Sequence, residues 1–166
     1  MLRWHIVNGN SPVMVKRTSP HPLSALIVDN IVLDTNCLLP ALKRDSVYYP
    51  VWREFMLGRY CLCVTDDILN EYEEIITRKT GSAEIAGNVI AAILNRQNVK
   101  HIAVYFHFNL IKSDPDDNKF VDCAIKAGAR FIVSEDHHFD ELKSIPFPHV
   151  DVIGIDEFLC ELGASV

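Results

Sequence analysis

An alternation along the chain limits the fold more than any other feature. Short apolar runs rich in β-branched residues recur, and each is followed by a segment of helical period. "ALIVDNIVL" reads as a buried strand ending near Leu33, and "YCLCV", "HIAVYF", "RFIVS" and "VDVIGI" as four more. Between them, "SVYYPVWREFMLGR" reads as a helix with Pro50 in its first turn or at a break. "DDILNEYEEIITRK" and "SAEIAGNVIAAILNR" read as amphipathic helices. "NKFVDCAIKAG" reads as a helix closed by Gly128, and "HFDELKS" and "DEFLCEL" as short helices. Strands alternating with helices predict an α/β fold: a three-layer α/β/α sandwich around a mostly parallel central sheet. In such sheets ligands gather beyond the carboxyl ends of the strands, where the strand order reverses.

The 166 residues suffice for one domain with a core, and 49% hydrophobic with 23% charged residues is ordinary for a globular chain. No apolar run reaches the ~18–20 residues of a membrane helix, and "MLRWHIVNGNSPV" has no secretory apolar core, so a cytoplasmic protein without membrane contact is expected. Cys37, Cys61, Cys63, Cys123 and Cys160 form no CxxC pair and read as buried thiols rather than a zinc site or disulfide framework. Residues 1–24 show no sustained period and read as an N-terminal extension with one short strand at "HIVN"; residues 25–166 read as the domain. The net charge is −6, and the extension carries Arg3, Lys16 and Arg17 with no acid, leaving −9 on the remainder. Such a balance argues against a simple phosphate-binding protein, unless several acids share one metal site whose cations reverse the local charge.

The acids are placed to do so. Asp34 directly follows "IVL", and Asp136 follows "RFIVS", so both are expected at carboxyl ends of strands. Glu135 adjoins Asp136 and takes its place if the strand ends one residue early. The stretch "KSDPDDNKFVDCA" carries Asp114, Asp116, Asp117 and Asp122. At about 100° per residue, Phe120, Val121, Ala124 and Ala127 form the apolar stripe of the helix that follows. Asp117 projects with that stripe, Asp122 opposite it toward solvent, and Asp116 reads as the N-cap. On "DDILNEYEEIITRK", Glu71 and Glu73 flank the stripe on either side, and periodicity does not choose between them. The constellation is Asp34, Glu71 or Glu73, Asp117 and Asp136. Clustered carboxylates repel, and hard divalent cations such as Mg²⁺ or Mn²⁺ remove that cost. His137 and His138 read as a surface helix start. Lys112, Lys119 and Arg44 read as solvated cations, and Trp4, Trp52 and the tyrosines as packing residues.

At these residues the chain resembles the PIN-domain family, over about residues 29–160. "IVLDTN" resembles the family's first motif, with Asp34 as metal ligand and Thr35 and Asn36 beside it. "TDDILNEYEEII" resembles the second, whose register selects Glu71. "DPDDNKFVDCAIKAGARFIVSED" resembles the third and fourth run together, with Asp117, Asp136, and Ser134 where the family has Thr or Ser. The resemblance implies an α/β/α nuclease that uses one or two Mg²⁺ or Mn²⁺ ions to hydrolyse single-stranded RNA. Its catalytic and metal-holding residues are then Asp34, Glu71, Asp117 and Asp136, with Thr35, Asn36, Ser134 and Lys119 around them. It also implies a toxin held by a small antitoxin protein, and a homodimer. A non-catalytic scaffold that binds RNA or protein is the alternative, and such a scaffold is expected to lack one or more of the four acids. A haloacid-dehalogenase-type phosphatase needs a second acid two residues after Asp34, where this chain has Asn36.

Overall fold

The computed structural model describes residues 28–163. Its five strands are β1 (Asn30–Leu33), β2 (Cys61–Val64), β3 (Val99–His101), β4 (Phe131–Val133) and β5 (Val152–Ile153). They form one sheet in the order β3-β2-β1-β4-β5, and every pairing is parallel. Ile31–Leu33 and all of β2 are buried, as strands covered on both faces must be. Six α-helices accompany them: α1 (Thr35–Ala41), α2 (Tyr49–Met56), α3 (Asp66–Thr80), α4 (Ala83–Leu94) and α5 (Asn118–Ala127) between strands, and α6 (Ile155–Glu161) after β5. The connections from β1 to β3 run one way along the sheet, and those from β3 through β4 to β5 run the other. Right-handed crossovers therefore put α1–α4 against one face and α5 against the opposite face. This is the expected α/β sandwich.

Local chemistry explains most boundaries. Thr65 and Ser82 cap α3 and α4, each hydroxyl accepting the backbone N–H three residues on at 3.2 Å. Gly128 closes α5 at φ 58°, a left-handed conformation that glycine adopts without a Cβ clash. Pro50 sits in the first turn of α2. The strand order reverses between β1 and β4, so the switch point lies beyond Leu33 and Val133, beside Asp34 and Ser134–Asp136.

Several expectations are corrected. The third strand is Val99–His101 rather than "HIAVYF", and residues 102–110 are irregular. The buried Asp122 carboxylate accepts from the Phe108 N–H at 3.0 Å, and Asn118 brackets Ile111 at N–H and C=O, at 2.9 and 2.7 Å. These bonds tie the chain to α5 instead of to a longer ladder. Asp122 is therefore inside, at 2% exposure, and not toward solvent. Asp114, not Asp116, supplies the cap before α5, accepting from the Asp116 N–H at 3.1 Å. Helix α1 was not anticipated, and "HFDELKS" is a 3-10 helix over His137–Ser144. "HIVN" and residues 25–27 lie outside the described residues. No helix among the described residues is long and apolar enough to cross a membrane.

Candidate active site

Asp34 directly follows β1 and is the N-cap of α1, so it joins the two elements. It is 4% exposed. Its Oδ2 accepts from Ser134 Oγ at 2.7 Å, and its Oδ1 from the Asn36 N–H at 3.3 Å. Burial raises its pKa, the Ser134 and Asn36 donors pull it back, and the Glu71 and Asp136 carboxylates push it up again. Ser134 also accepts from the Asp136 N–H at 3.0 Å, so one hydroxyl links the ends of β1 and β4.

Asp117 stands at the N-terminus of α5 without a side-chain capping bond. Its carboxyl is pushed up to about 6, first by burial and then by Asp114 and Asp136, with His138 opposing them. Asp136 opens the 3-10 helix, accepting from the His138 N–H at 2.9 Å. His138 Nδ1 lies 3.2 Å from Asp136 Oδ1, 3.3 Å from Asp117 Oδ2 and 3.8 Å from Asp114 Oδ2. Among the described residues, Asp114, Asp117 and His138 form one compact group of metal-type donors, and Asp136, His137 and His138 another. Asp34 borders these groups without joining either, within electrostatic reach of Asp117 and Asp136.

Glu71 approaches from α3. Its Oε1 accepts from Thr35 Oγ1 at 2.5 Å, and its Oε2 pairs with Lys119 Nζ at 2.5 Å. Glu73 is exposed, so the structure brings Glu71 and not Glu73 toward the acids. Buried Tyr72, next to Glu71, donates its hydroxyl to the Leu33 carbonyl and fixes α3 on the end of β1. Lys119 also pairs with Asp116; burial works against its charge, but the two carboxylates hold its pKa above the usual value. It is half-buried in an ion-pair network, not a solvated cation. Asn36 contributes its backbone N–H to Asp34, while its side chain belongs to an exposed residue. Glu135 accepts from the Ile155 N–H at 2.6 Å and braces α6. A Cβ on Gly154 would stand 2.7 Å from its Oε1, so a side chain there would push the Glu135 carboxylate aside.

Two features were missed. His138 is a half-buried member of the acid cluster rather than a surface residue, and the HH pair beside Asp136 was the available signal. Tyr105 is 87% exposed, so not every tyrosine serves packing, and Cys160 is exposed on α6 while the other four thiols are buried as expected.

The fold and this edge define an α/β domain with a cluster of acids at its topological switch point. The PIN-domain family profile matches residues 30–138, most of the chain. The chain belongs to the PIN-domain family. No curated protein matches it in sequence. Among solved structures, it is similar to VapBC2 of Rickettsia felis, bound to a promoter DNA fragment, at 16% identity and TM-score 0.53. That match covers 75% of this chain and 98% of the other. It is also similar to DNA-bound VapBC of Salmonella typhimurium at 17% identity and TM-score 0.53, covering 77% and 99%. At these identities the likeness is one of fold.

Proposed function

We propose that the protein is a metal-dependent endoribonuclease that hydrolyses phosphodiesters of single-stranded RNA. The observation that carries this reading is the meeting of Asp34, Glu71, Asp117 and Asp136 at the switch point, with Asp34 and Asp117 both raised in pKa. The donor set fits a hard divalent cation, because close carboxylates with too few donors of their own are what such an ion neutralises. Asp34, Asp117 and Asp136 would hold Mg²⁺ or Mn²⁺, with His138 beside them. An imidazole in the set favours Mn²⁺ over Mg²⁺. When bound, the ion supplies Lewis acidity to the phosphodiester and lowers the pKa of the attacking water.

The chain's other residues hold these acids in place. Ser134 orients Asp34 and couples it to the Asp136 backbone. Thr35 and Lys119 hold Glu71 at the rim, where its carboxylate can accept a proton from water once Lys119 turns to a phosphate oxygen. The VapBC structures are named for two components, which supports a toxin of this kind held by a small antitoxin; that it acts as a homodimer is part of the same proposal.

The test is cleavage of random-sequence single-stranded RNA by the full chain with Mn²⁺, with Mg²⁺ and with chelator. Metal-dependent cutting, absent in Asp117→Asn, is the expected result. No cutting together with no Mn²⁺ binding would overturn the reading and favour a non-catalytic scaffold.

A further inference from the structure

Next to the acids is a cavity of about 420 Å³, within the ~300–1,000 Å³ range of small-molecule sites. It shares Glu71 and Lys119 with the candidate active site. α3 forms one wall, α5 the floor, and Val104, His107 and Asn109 of the irregular segment the other wall. That wall is built rather than loose. Buried Asp122 takes both the Phe108 N–H at 3.0 Å and His107 Nδ1 at 2.8 Å, and Asn118 fixes Ile111. Asn109 has φ 51°, the one positive φ outside glycine among the described residues.

The same segment carries Tyr105 and Phe106, 87% and 67% exposed. Phe106 rests edge-on against Phe108, with centroids 4.8 Å apart. Neither ring lines the cavity; both stand on the fixed segment between two residues that do, Val104 and His107, and exposed rings in that place suit stacking on unpaired bases. On the facing wall, the side chains of Asp67, Asn70 and Glu74 line the cavity and have no hydrogen-bond partner among the described residues. Two of these are acids, which repel phosphate, and all three offer oxygens that accept from an amino group.

We infer that this cavity receives the nucleobase adjoining the scissile phosphate of single-stranded RNA. The base is one with an exocyclic amino group, read by Asn70, Asp67 and Glu74, and the next unpaired base along the strand stacks on Tyr105 and Phe106 beside the cavity. The backbone runs outside the acidic wall, past Lys119. The inference rests on the ribonuclease reading for its substrate, but its test does not need cleavage.

Binding of a fluorescein-labelled random-sequence single-stranded RNA is measured by anisotropy in an Asp117→Asn background. Adding Tyr105→Ala and Phe106→Ala is expected to raise Kd roughly tenfold. Phe147→Ala, an equally exposed aromatic in the loop entering β5, leaves Kd unchanged. With Asp117 intact, the aromatic double variant raises KM with kcat retained, and Asn70→Ala alters the base preference beside the cut. Unchanged melting temperatures separate these effects from misfolding. An unchanged Kd in the double variant, or no RNA binding by the parent, overturns the inference. Aromatic-dependent binding without metal-dependent cleavage would support the cavity while overturning the nuclease reading.

Discussion

Asp117 and Asp122 lie five residues apart on the same segment, and their surroundings are opposite. Asp122 is buried and fully used, with one oxygen on the Phe108 N–H and the other on His107. Asp117 heads the same helix with no capping bond, faces Asp114 and Asp136, and has its carboxyl pushed up to about 6. A buried carboxylate with donors is a structural clamp. A half-buried carboxylate whose neighbours are mostly other acids is under stress that a cation would relieve. The same contrast recurs further out. Glu141 takes the Lys112 and Ser113 N–H groups at 3.0 Å each, and the Ser113 and Lys112 donors hold its pKa down at about 2.

Substitution to Asn keeps volume and removes charge, so it separates these roles. The largest expected effect is on cleavage. Asp34→Asn and Asp117→Asn each lower kcat at least about 10²-fold in an RNA cleavage assay. Next is a loss of stability at the clamp. Asp122→Asn removes the charge from both bonds that this buried carboxylate makes and costs about 1–3 kcal/mol in urea denaturation. Asp117→Asn has the opposite sign. Without divalent metal it stabilises the fold by about 1–2 kcal/mol at pH 7.5. The sign follows because a raised folded-state pKa gives stability that is present below about 4 and lost as pH rises through about 6. The gain should therefore vanish in melts at pH 4; a loss of stability at pH 7.5 would contradict the stress assigned to Asp117.

Smaller effects sharpen the contrast. His138→Asn should weaken Mn²⁺ binding more than Mg²⁺ binding, measured by calorimetry; equal weakening would remove the imidazole from the ion's surroundings. Glu141, with its depressed pKa, contributes stability present above about 4.5 and lost as pH falls toward about 2. Glu141→Gln should thus lower the melting temperature slightly at pH 7, and the two proteins should converge in acid.

How much of this was legible in the sequence depended on how local its cause was. The sheet and the main helices followed from periodicity, and the inward side of Asp117 followed from helical angle. Asp122 was misread because angle reports only the side away from the sheet, and residues 102–110 fold back to cover that side. The same bonds shortened the third strand, whose residues have every local reason to extend it. Helix α1 was invisible because seven residues with Pro40 inside carry too little period. His138 was missed because its partners, Asp114 and Asp117, lie more than twenty residues earlier, and only the tertiary fold joins them. Glu71 parts from Glu73 for the same reason, through Thr35 and Lys119.

The most direct test is Mn²⁺ titration of the metal-free full chain by calorimetry, beside Asp117→Asn. Saturable binding to the parent, weakened at least about tenfold in the variant, is the predicted result. Equal binding by both, or binding by neither, would contradict the claim that the acids at the switch point form a cation site.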